Sequence, residues 1–162
     1  TAYNGDHMSN YAVNVGVPKT LVKYLVDAYA DIYAEDNGTR STKGVLKDIV
    51  DLPISPELLP TDKKGNMVQK TEESIGKYDL HDFFLYHYLR NGFGKEKILE
   101  LAKIAFPKVK DEEISKTLDI FYHRFRTQQF KRSCIPDGPK VGSVALSPRG
   151  DLRLPSDLMK MY

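Results

Sequence analysis

After Ser133 the chain carries Pro136, Gly138, Pro139, Gly142, Pro148, Gly150 and Pro155 in close succession. Each proline fixes φ and removes a backbone donor, and each glycine loosens the chain, so neither a helix nor a central strand can run through this stretch. The C-terminal part therefore reads as an extended tail that is tied down or covers a partner, and a packed core must come from the residues upstream.

Upstream, apolar spacing predicts five helices. The first opens at Pro18, suited to a first helical turn, and carries Leu21, Leu25, Ala28, Tyr29 and Ile32 on one face before Asn37-Gly38. A shorter helix follows Ser41, with Val45, Leu46, Ile49 and Val50 as its apolar set. Residues 52–60 are too proline-rich to be regular. Asp79 is the expected cap of a third helix bearing Leu80, Phe83, Phe84 and Tyr88, which ends at Asn91-Gly92. Residues 95–106 form the fourth, stopped by Pro107. The fifth runs from Asp111 to about Phe130, with Ile114, Leu118, Phe121 and Phe125 on one face, acids at its start and bases at its end, as the helix dipole favours. Residues 11–15 alternate like a short strand that passes straight into a helix. A lone strand leaves its edges unpaired, so its sheet is expected elsewhere. The fold class is mainly α: five helices, one short strand and a long irregular tail.

Composition narrows the partners. Of 162 residues, 41% are apolar and 28% charged, and the formal net charge is +2, so the whole molecule presents no field that calls for nucleic acid or an anionic membrane. No apolar run reaches the roughly 20 residues a bilayer needs. The single cysteine, Cys134, excludes an internal disulfide framework and fits a reducing cytoplasm. The chain starts with Thr1 rather than Met, and we expect it to begin inside a longer reading frame.

Several residues could carry chemistry. Lys131 and Arg132, at the end of the fifth helix, could hold a phosphate or carboxylate, or simply complement the helix dipole. Lys19 stands at a helix start, the wrong end for a cation unless an anion shares it; the alternative is an exposed lysine. Ser55, between Ile54 and Pro56, has a hydroxyl aimed by a rigid stretch or used in a turn. His7, His81, His87 and His123 have no metal spacing, and His87 and His123 fall on aromatic helix faces where packing is the expected role. Cys134 reads as a small buried hydrophobe. Arg124, Phe125, Arg126, Lys131 and Arg132 interleave bases with an aromatic ring, the pattern of a small nucleic-acid face, although acids share the same helix.

Five stretches, in order and spacing, resemble the NAD(+) synthetase family: GDHMSNYAVNVGVPKT at 5–20, ISPELLP at 54–60, YDLHDFFLY at 78–86, QQFKRSCIPDGPKV at 128–141 and LSPRGDLRLPSD at 146–157. The last two are similar to the large, glutamine-dependent branch. The resemblance implies that residues 1–162 are the C-terminal part of a synthetase domain whose parent fold is α/β, of the adenine nucleotide alpha-hydrolase-like (ATP pyrophosphatase) type. It implies that ATP adenylylates nicotinic acid adenine dinucleotide (deamido-NAD) and ammonia displaces AMP to give NAD(+). It also implies Mg2+, with ligands mostly outside this chain, and a glutaminase domain in the same polypeptide that supplies the ammonia. A cytoplasmic homo-oligomer is expected.

Residue by residue, the resemblance implies ATP contacts for Lys19 and Ser55, where compact enzymes of the family have Thr in place of this Ser. It implies deamido-NAD contacts for Lys131, for Phe130, where compact enzymes carry His, and for Asn10, which stands where they have Asp. Asp151 lies in the tail motif and is assigned an interdomain or ammonia-tunnel role. No catalytic residue and no metal ligand is assigned within the chain. The family's phosphate loop, Ser-Gly-Gly-x-Asp-Ser, does not occur in these residues, so the isolated chain is expected to be inactive. The rival reading is a non-catalytic helical interaction module, with nucleic acid at the basic end of the fifth helix as its partner.

Overall fold

The computed structural model describes residues 10–35, 41–52 and 75–158. They divide into two compact units, one of Pro18–Tyr78 and one joining Thr1–Val17 to Asp79–Tyr162.

The first unit is a pair of packed helices, α1 (Lys19–Ile32) and α2 (Thr42–Asp51). Ser41 caps α2 by accepting the Gly44 N–H at 3.1 Å, satisfying one of the donors a helix start leaves orphaned. Ala30 of α1 is buried, and the two helices are bridged by lysines of α2. Lys47 Nζ reaches Asp27 at 2.6 Å and Asp31 at 3.0 Å, and Lys43 reaches Asp31 at 3.2 Å. Hydrogen bonds from Lys47 and then Lys43 hold the Asp31 carboxyl below the usual carboxylate range. These pairs are half-exposed and open to solvent screening, and such pairs orient helices more than they stabilise them. The apolar stripe expected on α1 points to solvent instead: Leu21, Leu25, Tyr29 and Ile32 are all exposed, as are Val45 and Ile49 of α2. α1 ends at Ile32, earlier than Asn37-Gly38 indicated, with the Tyr33 N–H closing on the Tyr29 carbonyl.

The second unit is built on α3 (Tyr78–Leu89), α4 (Lys95–Ala105) and α5 (Asp111–Thr127), followed by the single turn α6 (Gln129–Ser133). α3 begins one residue before Asp79, which is therefore a first-turn acid rather than a cap. Gly92, at φ +62°, makes the left-handed turn that ends the α3 segment. Leu80 and Phe84 of α3, Ile98 and Ala102 of α4, and Ile114 and Leu118 of α5 have no exposed surface, with Phe121 beside them. Those of α3 and α5 are among the positions helical spacing singles out. The rings interlock edge to face, Phe83 on Phe106 at 5.3 Å and Tyr88 on Phe125 at 5.4 Å, an arrangement favoured by their quadrupoles.

Two expectations give way. Among the described residues no strand forms, and residues 13–16 make a turn. The Val15 N–H returns to the Ala12 carbonyl and the Val17 N–H to Asn14, while Ala12 N–H bonds Asp137 of the tail at 2.7 Å. Gly16 and Pro18 leave too little uninterrupted chain for a ladder. The fifth helix is also not continuous to Phe130. The Gln129 side-chain amide donates to the Phe125 carbonyl at 2.6 Å, the group the Gln129 N–H would bond in an unbroken helix, and the chain bends at Gln128.

His87 is packed as expected, 4.3 Å from the Phe83 ring and stacked on Phe93, with Asn91 Nδ2 2.8 Å from its Nδ1. His123 differs: it is exposed. Burial lowers the His87 pKa, so the folded chain disfavours its protonation. The unfolded chain binds that proton first, near pH 6.5. Stability is therefore expected to be full above that value and to fall as pH drops toward the folded pKa. Urea unfolding across this range checks it, and His87→Phe should flatten the dependence.

Candidate functional site

The tail is held against α6 and residues 12–16 by a small number of directed contacts. Arg132 is the central one. It is 6% exposed, although it neighbours exposed Lys131. Its Nε donates to Gln129 Oε1 at 2.7 Å, and its Nη1 donates to the Leu152 carbonyl at 2.6 Å and the Leu146 carbonyl at 3.4 Å. Gln129, 2% exposed, thereby receives Arg132 at one end and binds Phe125 at the other. Burial lowers the Arg132 pKa, but a guanidinium stays charged at any ordinary pH. The carbonyl dipoles compensate it.

Further along, Arg149 pairs with Asp137 through Nε and donates from Nη2 to the Ile135 carbonyl at 2.6 Å. Lys140 Nζ lies 2.8 Å from Asp151, and this contact first, with others behind it, holds the Asp151 carboxyl below its usual range. Glycine permits the closest approach. A Cβ on Gly138 would lie 2.0 Å from the Ala12 carbonyl oxygen and 2.7 Å from Val15 Cγ1, and one on Gly16 would lie 3.1 Å from the Val141 carbonyl oxygen. A docked tail thus needs glycine at 138 for space.

Against this frame the predicted site residues separate. Phe130 and Lys131 sit together on the outer side of α6, Phe130 40% exposed and the Lys131 ammonium 5.9 Å from its ring centre. Lys131 makes no ion pair with a described residue and is free to meet an anion. Arg132 does not join it, so the two adjacent bases are not one anion site, and the basic face of the rival reading loses that member. Asn10 is exposed at the start of the segment that packs on the tail. Asp151 is exposed and paired with Lys140. Lys19 is exposed at the first residue of α1, where Pro18 gives no side-chain cap and the first turn holds no acid. That arrangement suits an anion. Lys19 belongs to the first unit and Lys131 to the second. Ser55 lies outside the described residues.

Cys134 is half-buried rather than buried, its Sγ 2.9 Å from the Lys131 carbonyl oxygen. Among the described residues no three His, Cys, Asp or Glu side chains converge as metal ligands would, and no helix is long and apolar enough to cross a membrane. Arg149 carries tail contacts, and Gln129 supports the Arg132 guanidinium that carries others, neither of which the sequence singled out. The signal available for Arg149 was its place in the quoted SPRGD stretch.

No protein-family model matches the chain. Curated proteins do. The glutamine-dependent NAD(+) synthetase of Mycobacterium leprae is 41% identical over 95% of this chain, and those of Mycobacterium bovis and Mycobacterium tuberculosis are 42% identical over the same share. The chain is similar, almost end to end, to one segment of a glutamine-dependent NAD(+) synthetase. It spans 25% of the length of each of these relatives. Both the tail and the α6 turn fall within a similarity of that extent.

The close approach at Gly138 leads to a direct test. Gly138→Ala is expected to cost about 1–3 kcal/mol, the range for an overpacked site, and to expose the tail. Thermal unfolding and limited proteolysis of the region after residue 134 read both effects; unchanged cleavage would mean that the tail does not depend on this contact.

Proposed function

We propose that this chain is the dinucleotide-binding end of the synthetase domain in a glutamine-dependent NAD(+) synthetase. The supporting observation is identity of 41–42% to such enzymes over 95% of the chain, together with an exposed lysine and aromatic pair on α6. In this reading the whole protein uses ATP to adenylylate the nicotinate carboxylate of nicotinic acid adenine dinucleotide. Ammonia then displaces AMP, forming the amide of NAD(+). The ammonia comes from glutamine, hydrolysed by a glutaminase domain of the same polypeptide.

Within this chain the roles are those of binding. Lys131 offers a charge-assisted bond to an anionic group of the dinucleotide, and Phe130 offers an apolar ring beside it. Asn10 adds a polar contact. Lys19, with the uncapped start of α1, suits an ATP phosphate, and Ser55 contributes a hydroxyl to the same nucleotide. Mg2+ would neutralise pyrophosphate charge when bound, with ligands mostly from other parts of the protein. Asp151, anchored by Lys140, serves the interdomain or tunnel region. The protein works as a cytoplasmic homo-oligomer, and the isolated chain, without the Ser-Gly-Gly-x-Asp-Ser loop, forms no NAD(+) from ATP, Mg2+, ammonia and deamido-NAD.

Lys131→Ala in the full-length protein tests the reading. A lost hydrogen bond to a charged group costs about 1.5–3 kcal/mol, so the KM for nicotinic acid adenine dinucleotide is expected to rise about tenfold or more. Steady-state kinetics with ATP saturating checks this. A KM unchanged from the parent protein would remove Lys131 from the site.

A further inference from the structure

Lys131 stands next to a residue that the resemblance leaves without a role. α6 has only five residues and no side-chain cap at its start, too little to persist by its own hydrogen bonding. What fixes it is on its inner side: Gln129 bonds back to α5, and Arg132 bonds to Gln129 and to two tail carbonyls, with both side chains buried. Ser133 Oγ adds a bond to the Gln129 carbonyl at 3.1 Å. The outer side carries Phe130 and Lys131. The tail therefore bears on the same short turn that presents the lysine.

We propose that Arg132 is a positioning residue for the Phe130–Lys131 site, its guanidinium locking α6 to the carbonyls of Leu146 and Leu152 so that tail docking and dinucleotide binding rise and fall together. The inference rests on the reading of Lys131 as a dinucleotide contact. A buried guanidinium cannot touch the ligand itself. Its effect passes through the geometry of the turn, and by linkage a ligand that needs the turn in this geometry also favours the docked tail.

Hydrogen exchange on the unmodified full-length protein, with and without nicotinic acid adenine dinucleotide, provides the first reading. Ligand is expected to slow exchange at 145–153 as well as at 129–133. Protection confined to 129–133 overturns the coupling. In variants, Arg132→Ala is expected to raise the KM for the dinucleotide fivefold or more with a smaller change in kcat, to open 145–153 to protease, and to abolish the ligand-dependent protection there. Arg132→Lys is not expected to restore it, because an ammonium cannot span the same three acceptors. Should Arg132→Ala fail to fold, Gln129→Leu removes one acceptor of the lock and is expected to act in the same direction. A normal KM in a folded Arg132→Ala or Gln129→Leu protein, with Lys131→Ala impaired, refutes the positioning role. A normal KM in Lys131→Ala instead refutes the site reading on which the role rests.

Discussion

A guanidinium removed from water needs its charge and its five donors answered, and in this chain the answer organises the C-terminal half of the second unit. Arg132 finds Gln129 Oε1 and the carbonyls of Leu146 and Leu152. Those carbonyls belong to a stretch whose prolines and glycines deny it a regular hydrogen-bonding pattern. Buried or half-buried carbonyls without a helix or ladder must find partners elsewhere. The buried cation and the irregular tail thus meet each other's need. Neither would be stable in this form alone.

The lock needs a firm base, and the helical core supplies it. α5 is pinned along its length by Ile114, Leu118 and Phe121 against α3 and α4, so its last turn is fixed before the chain bends at Gln128. Gln129 transmits that position by bonding Phe125. At the other side, residues 12–16 turn onto the tail where Gly138 allows backbone contact. Ordered in this way, the segment runs from rigid core to short turn to tail, each step resting on the previous one.

The parts of the fold that rest on apolar spacing were legible in the sequence. The buried residues of α3 and α5 fell on the predicted positions, α4 was legible only in its extent, and Ser41 as a start signal for α2 was met by its hydrogen bond to Gly44. The parts that depend on a single side-chain choice were not. The alternation at residues 11–15 satisfies the pattern of a strand, yet a strand also needs a neighbour, and the Val15 and Val17 donors went to local carbonyls while that of Ala12 went to the tail. The break at Gln128 depends on where the Gln129 amide points, which no periodicity records. The stripe on α1 had the right spacing for a core face but is exposed, because periodicity identifies a face and not what covers it. At the candidate site, the resemblance pointed to Phe130 and Lys131; the prolines and glycines marked the tail as one to be tied down, but not that Arg132 and Arg149 would hold it.

The separation of Lys131 from Arg132 follows from helix geometry and from the chemistry of the two cations. Successive residues in a helical turn diverge by about 100°, so one of two adjacent bases faces inward when the other faces out. Which one goes inside is not arbitrary. An ammonium is a compact, strongly hydrated charge and loses much on burial, whereas a guanidinium is more weakly hydrated and spreads its donors in a plane that can reach several carbonyls at once. Arginine suits the inner place, where Gln129, Leu146 and Leu152 lie in different directions. Lysine suits the outer one, where a flexible stem can follow an anion beside the Phe130 ring. Reversing the order would bury the costlier charge with fewer donors to satisfy the tail, so the sequence Lys-Arg at 131 and 132 is matched to the fold as an ordered pair and not as two interchangeable bases.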